Sequence, residues 1–112
     1  MADYQTVAKL DEIEDCGMKA VVAHGEPVGL YRVGERVFAI SDICTHEETD
    51  LTSGEFDCDD LEVECPLHGS RFNVETGEVR ILPATRPVAT FEVKIEGDLV
   101  MVGPKKTDSR GG

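Results

Sequence analysis

Two short segments of the chain pair a thiol with an imidazole: Cys44-Thr45-His46 and Cys65-Pro66-Leu67-His68-Gly69, with 18 residues between His46 and Cys65. Thiolate and imidazole are both good ligands for iron or zinc. So short a spacing on a tight loop lets the two side chains of a pair point at one place. Pro66 fixes φ and Gly69 tolerates unusual φ/ψ, so both help to bend the second loop. Two such hooks brought to one end of a scaffold make a four-donor pocket. Zinc is one occupant to weigh, although the familiar finger order puts both cysteines before both histidines, and here the order is Cys-His followed by Cys-His. A mononuclear iron or copper site finds no further ligand signal. A binuclear iron–sulfur unit explains the order if one iron takes both thiolates and the other both imidazoles. The sequence offers no catalytic constellation: no nucleophile–base pair and no phosphate loop.

The elements that must position these hooks read as short strands. Met18–Ala23 is largely apolar, and Pro27–Val33 and Arg36–Ser41 flank a two-residue turn at Gly34-Glu35. Leu61, Val63 and Cys65 alternate with Glu62 and Glu64, the period-2 pattern of a half-buried strand. Phe91, Val93 and Ile95 alternate with Thr90, Glu92 and Lys94, and Gly97-Asp98 turns the chain into Leu99–Val102. A third turn, Glu75-Thr76-Gly77, lies between Arg71–Val74 and Glu78–Ile81. This pattern predicts an all-β sandwich or barrel of antiparallel sheets, with at most a helical turn near Asp11–Asp15. Residues 42–60 are acidic and turn-rich, and residues 83–87 carry two prolines that cannot donate to a sheet ladder. The tail 103–112 is expected to be disordered.

The chain's 112 residues are the size of one domain. The N-terminal stretch lacks a signal-peptide pattern and no apolar run is long enough to span a bilayer. The expected setting is therefore the cytoplasm, without a membrane partner. The formal charge is −12, from 23 acidic and 11 basic residues. Such a surface repels phosphate backbones, which argues against nucleic acid, and would steer the molecule toward basic patches on proteins.

On these residues the sequence resembles the Rieske ferredoxins, over roughly Val7 to Val102. The resemblance is strongest in CTH at 44–46, CPLHGSRFNVETGEV at 65–79 and LPATRP at 82–87. It implies a Rieske fold, an antiparallel β-sandwich base with a smaller cluster-binding subdomain at about 42–82, in a single domain over 1–102. It also implies one [2Fe–2S] cluster, with Cys44 and Cys65 on the inner iron and His46 and His68 on the outer, solvent-facing iron. LPATRP resembles the family's proline loop, which places Pro83 against the cluster. Formally, two ferric ions, two sulfides and two thiolates sum to about zero, whereas four thiolates would leave about −2, so histidine ligation raises the potential.

Where high-potential members carry an extra cysteine in each loop, this chain has Thr49 and Leu67, so that disulfide is absent. Ser70 keeps a hydroxyl that could donate to a bridging sulfide, but Phe72 stands where those members have a tyrosine. Fewer hydrogen bonds to sulfur imply a potential toward the lower end of the roughly −150 to +300 mV Rieske range. A low-potential, single-domain member resembles the ferredoxin of an aromatic-ring dioxygenase system, a monomeric shuttle between a flavin-dependent ferredoxin reductase and a terminal Rieske oxygenase. The alternative within the family is the small subunit of an assimilatory nitrite reductase; outside it, a structural zinc module.

The remaining candidates have blander readings. His24 has no cysteine companion and reads as a surface histidine. Cys16 and Cys58 read as free thiols, the second among Asp57, Asp59 and Asp60, whose charge disfavours a thiolate; the alternative, disfavoured by a reducing cytoplasm, is a Cys16–Cys58 disulfide. Glu47, Glu48 and Asp50 are either solvated loop charge or a docking rim.

Overall fold

Three tight turns organise the larger part of the molecule. His24-Gly25 (φ 53° and 76°) joins strands paired from Ala23 opposite Glu26. Gly34-Glu35 joins strands paired from Val33 opposite Arg36, and Gly97-Asp98 joins strands paired from Glu96 opposite Leu99. Two-residue loops with positive φ match the right-handed twist of the flanking strands.

The computed structural model describes residues 4–43, 49–67, 69–81 and 87–107. Its strands are β1 (Gln5–Lys9), β2 (Met18–Ala23), β3 (Glu26–Val33), β4 (Arg36–Ser41), β5 (Glu55–Asp57), β6 (Glu62–Glu64), β7 (Arg71–Asn73), β8 (Val79–Ile81), β9 (Thr90–Glu96) and β10 (Leu99–Thr107). All pair antiparallel, in a six-stranded sheet of order β1-β10-β9-β4-β3-β2 and a four-stranded sheet β5-β6-β7-β8. Among the described residues there is no α-helix, only 3-10 turns at Leu10–Glu12 and Leu51–Ser53. No helix is long and apolar enough to cross a membrane. The all-β expectation stands.

Side-chain alternation on β3 explains how the two sheets are held. Val28 and Leu30 point into one apolar cluster with Ala39, Phe91, Val100 and Val102, inside the base. Tyr31, from the opposite face of β3, joins Ile40 in a second cluster with Leu51, Val63, Cys65, Phe72, Val74 and Val88. The central strands of the base are therefore buried on both faces, and the second cluster glues the small sheet to the first. Residues that alternate across a strand serve two cores at once.

Two expectations need correction. β10 continues to Thr107, with Lys105 opposite Phe91 and Thr107 opposite Thr90, so residues 103–107 are paired strand rather than tail. Residues 108–112 lie outside the described part. The acidic stretch 42–60 also contains a strand: β5 pairs with β6 from Glu55 opposite Glu64 to Asp57 opposite Glu62. The helical turn near Asp11–Asp15 is the 3-10 turn Leu10–Glu12.

Candidate metal centre

The second hook hangs between β6 and β7. The Cys65 amide donates to the Ser70 carbonyl at 2.7 Å and the Gly69 amide donates to the Cys65 carbonyl at 3.1 Å. Gly69 takes φ +75°, a left-handed turn conformation that costs glycine little. The two bonds cinch the loop so that its members diverge. Cys65 is 1% exposed, in no disulfide, within the inter-sheet core, whereas Leu67 is 59% exposed. One side chain of the hook thus points inward and its neighbours stand in solvent. Ser70 and Phe72 are fully buried beneath the loop, Phe72 paired across the sheet with Val63.

The first hook is described only at its base. Cys44 and His46 of the first hook, His68 of the second, Pro83 and the LPATR segment, and the rim residues Glu47 and Glu48 all lie outside the described residues. Ile43 and Asp50 form an isolated antiparallel bridge that closes the loop between them. Beneath it, Asp42 is 2% exposed, and its carboxylate accepts the Thr52 amide and the Thr52 hydroxyl, each at 2.8 Å. The Asp42 carbonyl accepts the Leu51 amide at 2.8 Å, and its own amide donates to Pro27 in the base at 3.1 Å. Burial pushes the Asp42 carboxyl above the ordinary aspartate value, against the opposing pull of the Thr52 hydrogen bonds. Its charge also adds to the effect of burial in raising the neighbouring Tyr31 phenol. Tyr31 packs edge-on against Phe56 with ring centroids 5.1 Å apart.

The bases of the two hooks touch. A Cβ at Gly54 would drive into the Glu64 carbonyl oxygen and lie 3.2 Å from Cδ of Pro66. Only glycine lets the backbone after the first hook come this close to the residues that start the second.

Sequence reasoning missed an ionic cluster on the small sheet. Arg71 meets Glu64 at 3.0 Å, Glu62 at 3.4 Å and Asp57 at 3.8 Å. The hydrogen bonds its guanidinium donates to Glu64 and then to Glu62 hold it still more firmly protonated. Glu62 and Glu64 alternate on one face of β6, and a basic residue across the sheet is their natural partner. His24 is no ligand: its ring Nε2 lies 3.1 Å from the Val102 carbonyl and its amide donates to the Gln5 side chain at 2.8 Å, tying the β2–β3 turn to β10 and β1. The reading of Cys16 and Cys58 as free thiols is overturned, since the two form a disulfide. Their Cα atoms are 5.4 Å apart across 42 residues of sequence, a proximity that only the folded arrangement of both sheets creates.

Cys65, the one proposed ligand among the described residues, fits an iron–sulfur group: a buried thiol outside any disulfide, on a loop cinched by two backbone hydrogen bonds, next to the buried Ser70. The Rieske [2Fe-2S] domain model matches residues 3–92, and the chain belongs to that family. The ferredoxin component of a naphthalene 1,2-dioxygenase system from Pseudomonas aeruginosa is 37% identical over 93 residues, 83% of this chain and 88% of that protein. The ferredoxin of carbazole 1,9a-dioxygenase from Nocardioides aromaticivorans IC177 superposes with a TM-score of 0.88 at 39% identity, covering 91% of this chain and 98% of the other. A ferredoxin solved in complex with the reduced oxygenase of carbazole 1,9a-dioxygenase gives 0.85 at 34% identity, covering 94% and 97%. By contrast, a Mycobacterium tuberculosis protein provisionally described as a nitrite reductase small subunit is only 16% identical, with a TM-score of 0.80 over 92% and 96% of the chains. At that distance the likeness shows the fold alone.

Proposed function

We propose that this chain is a single-domain Rieske ferredoxin, spanning about residues 1–107 with its cluster-binding part near 42–82, that carries single electrons from a flavin-dependent ferredoxin reductase to the terminal oxygenase of an aromatic-ring dioxygenase system. Cys44 and Cys65 hold the inner iron of one [2Fe–2S] cluster, and His46 and His68 the outer. The cluster, when bound, supplies reversible one-electron chemistry. The chain's own residues do the rest. The second hook carries this reading: Cys65 lies sealed in the core while Leu67 stands in solvent next to His68. A ligand buried on one side and an exposed tip on the other is what a carrier needs to exchange electrons at short range without taking in a substrate.

The core that seals Cys65, made by Phe72, Val63 and Val74, excludes water from the sulfur side. Ser70, buried under the loop, sits where a hydroxyl can support the electron-rich state. The acidic surface steers docking to basic patches on both partners, and the protein works in the cytoplasm as a monomer. Anaerobically purified protein should be brown, hold iron and acid-labile sulfide in equal measure, and give a rhombic paramagnetic-resonance signal on reduction. Substituting His46 or His68 should abolish that signal, and the reduced protein should be reoxidised by a cognate oxygenase. An equal-measure iron and sulfide content that stays absent after anaerobic reconstitution would overturn the proposal.

A further inference from the structure

The Cys16–Cys58 bridge crosses from one sheet to the other. Cys16 lies in the segment that leads from the Leu10–Glu12 turn into β2 of the base, and Cys58 in the turn between β5 and β6 of the small sheet. Both half-cystines sit on backbone that is held independently of the bridge. The Cys16 amide donates to the Arg32 carbonyl at 2.9 Å, and the Arg32 amide donates to the Gly17 carbonyl at 3.0 Å. The Arg32 guanidinium donates to the carbonyls of Leu10 at 3.1 Å and Ile13 at 2.7 Å, pinning the same segment to β3. On the other side, the Asp57 carboxylate accepts the amides of Asp59 and Asp60 at 3.1 and 3.2 Å, closing the turn around Cys58. The two sulfurs are therefore presented to each other by the fold. They are also reachable: Cys16 is exposed and Cys58 half-buried.

The span of the bridge matters for the proposed cluster site. The covalent loop 16–58 encloses the whole first hook, and Cys58 lies seven positions before Cys65 of the second. Besides the bridge, the sheets are linked by apolar packing, with Tyr31 against Phe56 close to the bridge, and by the exposed Arg36–Glu75 ion pair at 3.3 Å. A crosslink at this seam limits how far the hooks can separate when the core loosens.

We propose that Cys16 and Cys58 form a reversible, thiol-sensitive staple that holds the small sheet on the base and thereby slows loss of the cluster. Opening is thiol–disulfide exchange with a dithiol. One reagent thiolate attacks a cystine sulfur and breaks the Cys16–Cys58 bond, and the second reagent sulfur displaces the mixed disulfide. The reagent leaves as its cyclic disulfide, oxidised by two electrons, and two protons pass to the released cysteines. Glu14, Asp15, Asp57, Asp59 and Asp60 stand beside the two cysteines in sequence. Their charge repels an anionic thiol such as glutathione and disfavours the departing thiolate, so a neutral dithiol opens the staple more readily.

The test uses the whole protein, prepared without added thiol. Peptide mapping under non-reducing conditions should recover Cys16 linked to Cys58, and finding both alkylated as free thiols in that preparation overturns the proposal. Loss of visible absorbance in excess chelator should then be followed with and without dithiothreitol, for the wild type and for the Cys16→Ser/Cys58→Ser double variant. Dithiothreitol should speed the wild-type decay several-fold and leave the variant, already fast, unchanged. Equal acceleration of both would mean that the thiol attacks the cluster directly, and an unchanged wild-type rate would mean that the bridge restrains nothing; either result overturns the proposal. Glutathione at equal thiolate concentration should open the bridge more slowly than dithiothreitol, with the gap narrowing as salt is added. Because the role in retention rests on the cluster reading, the thermal midpoint of cluster-free protein is measured with and without dithiothreitol as well. A drop there without any iron in the purified protein would keep the staple and discard the cluster.

Discussion

Asp42 holds Thr52 twice, one carboxylate oxygen on the amide and the other on the hydroxyl, both at 2.8 Å. The nine residues between them include the whole first ligand hook, so this side-chain clasp fixes the mouth of a loop that carries two of the four proposed ligands. Replacing Asp42 by alanine leaves two half-buried donors without their acceptor. We expect Asp42→Ala to lose about 3 kcal/mol of stability, read as a shift of the urea midpoint, and to release its iron faster to a chelator. Asp42→Asn, which keeps one acceptor oxygen, should fall between the two.

The contact between hook bases gives a second prediction. Gly54→Ala forces a methyl group against the Glu64 carbonyl, and backbone cannot swing aside as a side chain can. The variant should lose about 2 kcal/mol and bind its cluster less well. Wild-type values for both would show that the approach is looser than described.

Phe72 is sealed in the same core as Cys65. A hydroxyl added there, in Phe72→Tyr, should donate toward sulfur and favour the reduced state. One neutral hydrogen bond is worth about 1 kcal/mol, or about 40 mV for a one-electron couple. Redox titration should place the wild type toward the lower end of the family range and the variant higher. An unchanged midpoint in Phe72→Tyr would separate the core around Phe72 from the redox centre.

The charge of −12 bears on association rate. Raising ionic strength from low to well above physiological should slow electron transfer to a basic-patch partner more than tenfold, since steering contributes about 10 to 10³. Stopped-flow mixing across a salt series measures it. A flat response would assign the acidity to solubility alone.

Much of this was legible in the chain because the deciding signals are local. β2 and β4 coincide with the apolar runs Met18–Ala23 and Arg36–Ser41, and the Gly34-Glu35 and Gly97-Asp98 turns sit where their residues predicted. Cys65, Ser70 and Phe72, all within the second motif, are buried. What escaped depends on partners far away in sequence. Glu55–Asp57 carries no apolar alternation and becomes a strand because β6 offers it an edge. Lys105 and Thr107 are strand because β10 keeps pairing with β9 through two register shifts. Cys16 and Cys58 look like isolated thiols until the two sheets are stacked, and the bound positions of Arg71 and His24 emerge only with the same stacking.

The strands β4 and β9 are neighbours in the base, with Ala39 opposite Phe91 and Ile40 opposite Thr90, and the Ser41 amide donates to the Ala89 carbonyl at 2.9 Å. Everything between them, both hooks and the small sheet included, leaves and re-enters through one doorway. Such an excursion behaves as a cassette. A graft of this segment would need only two adjacent junctions, together with Cys16, Tyr31 and Ile40, base residues that bond to it or pack on it.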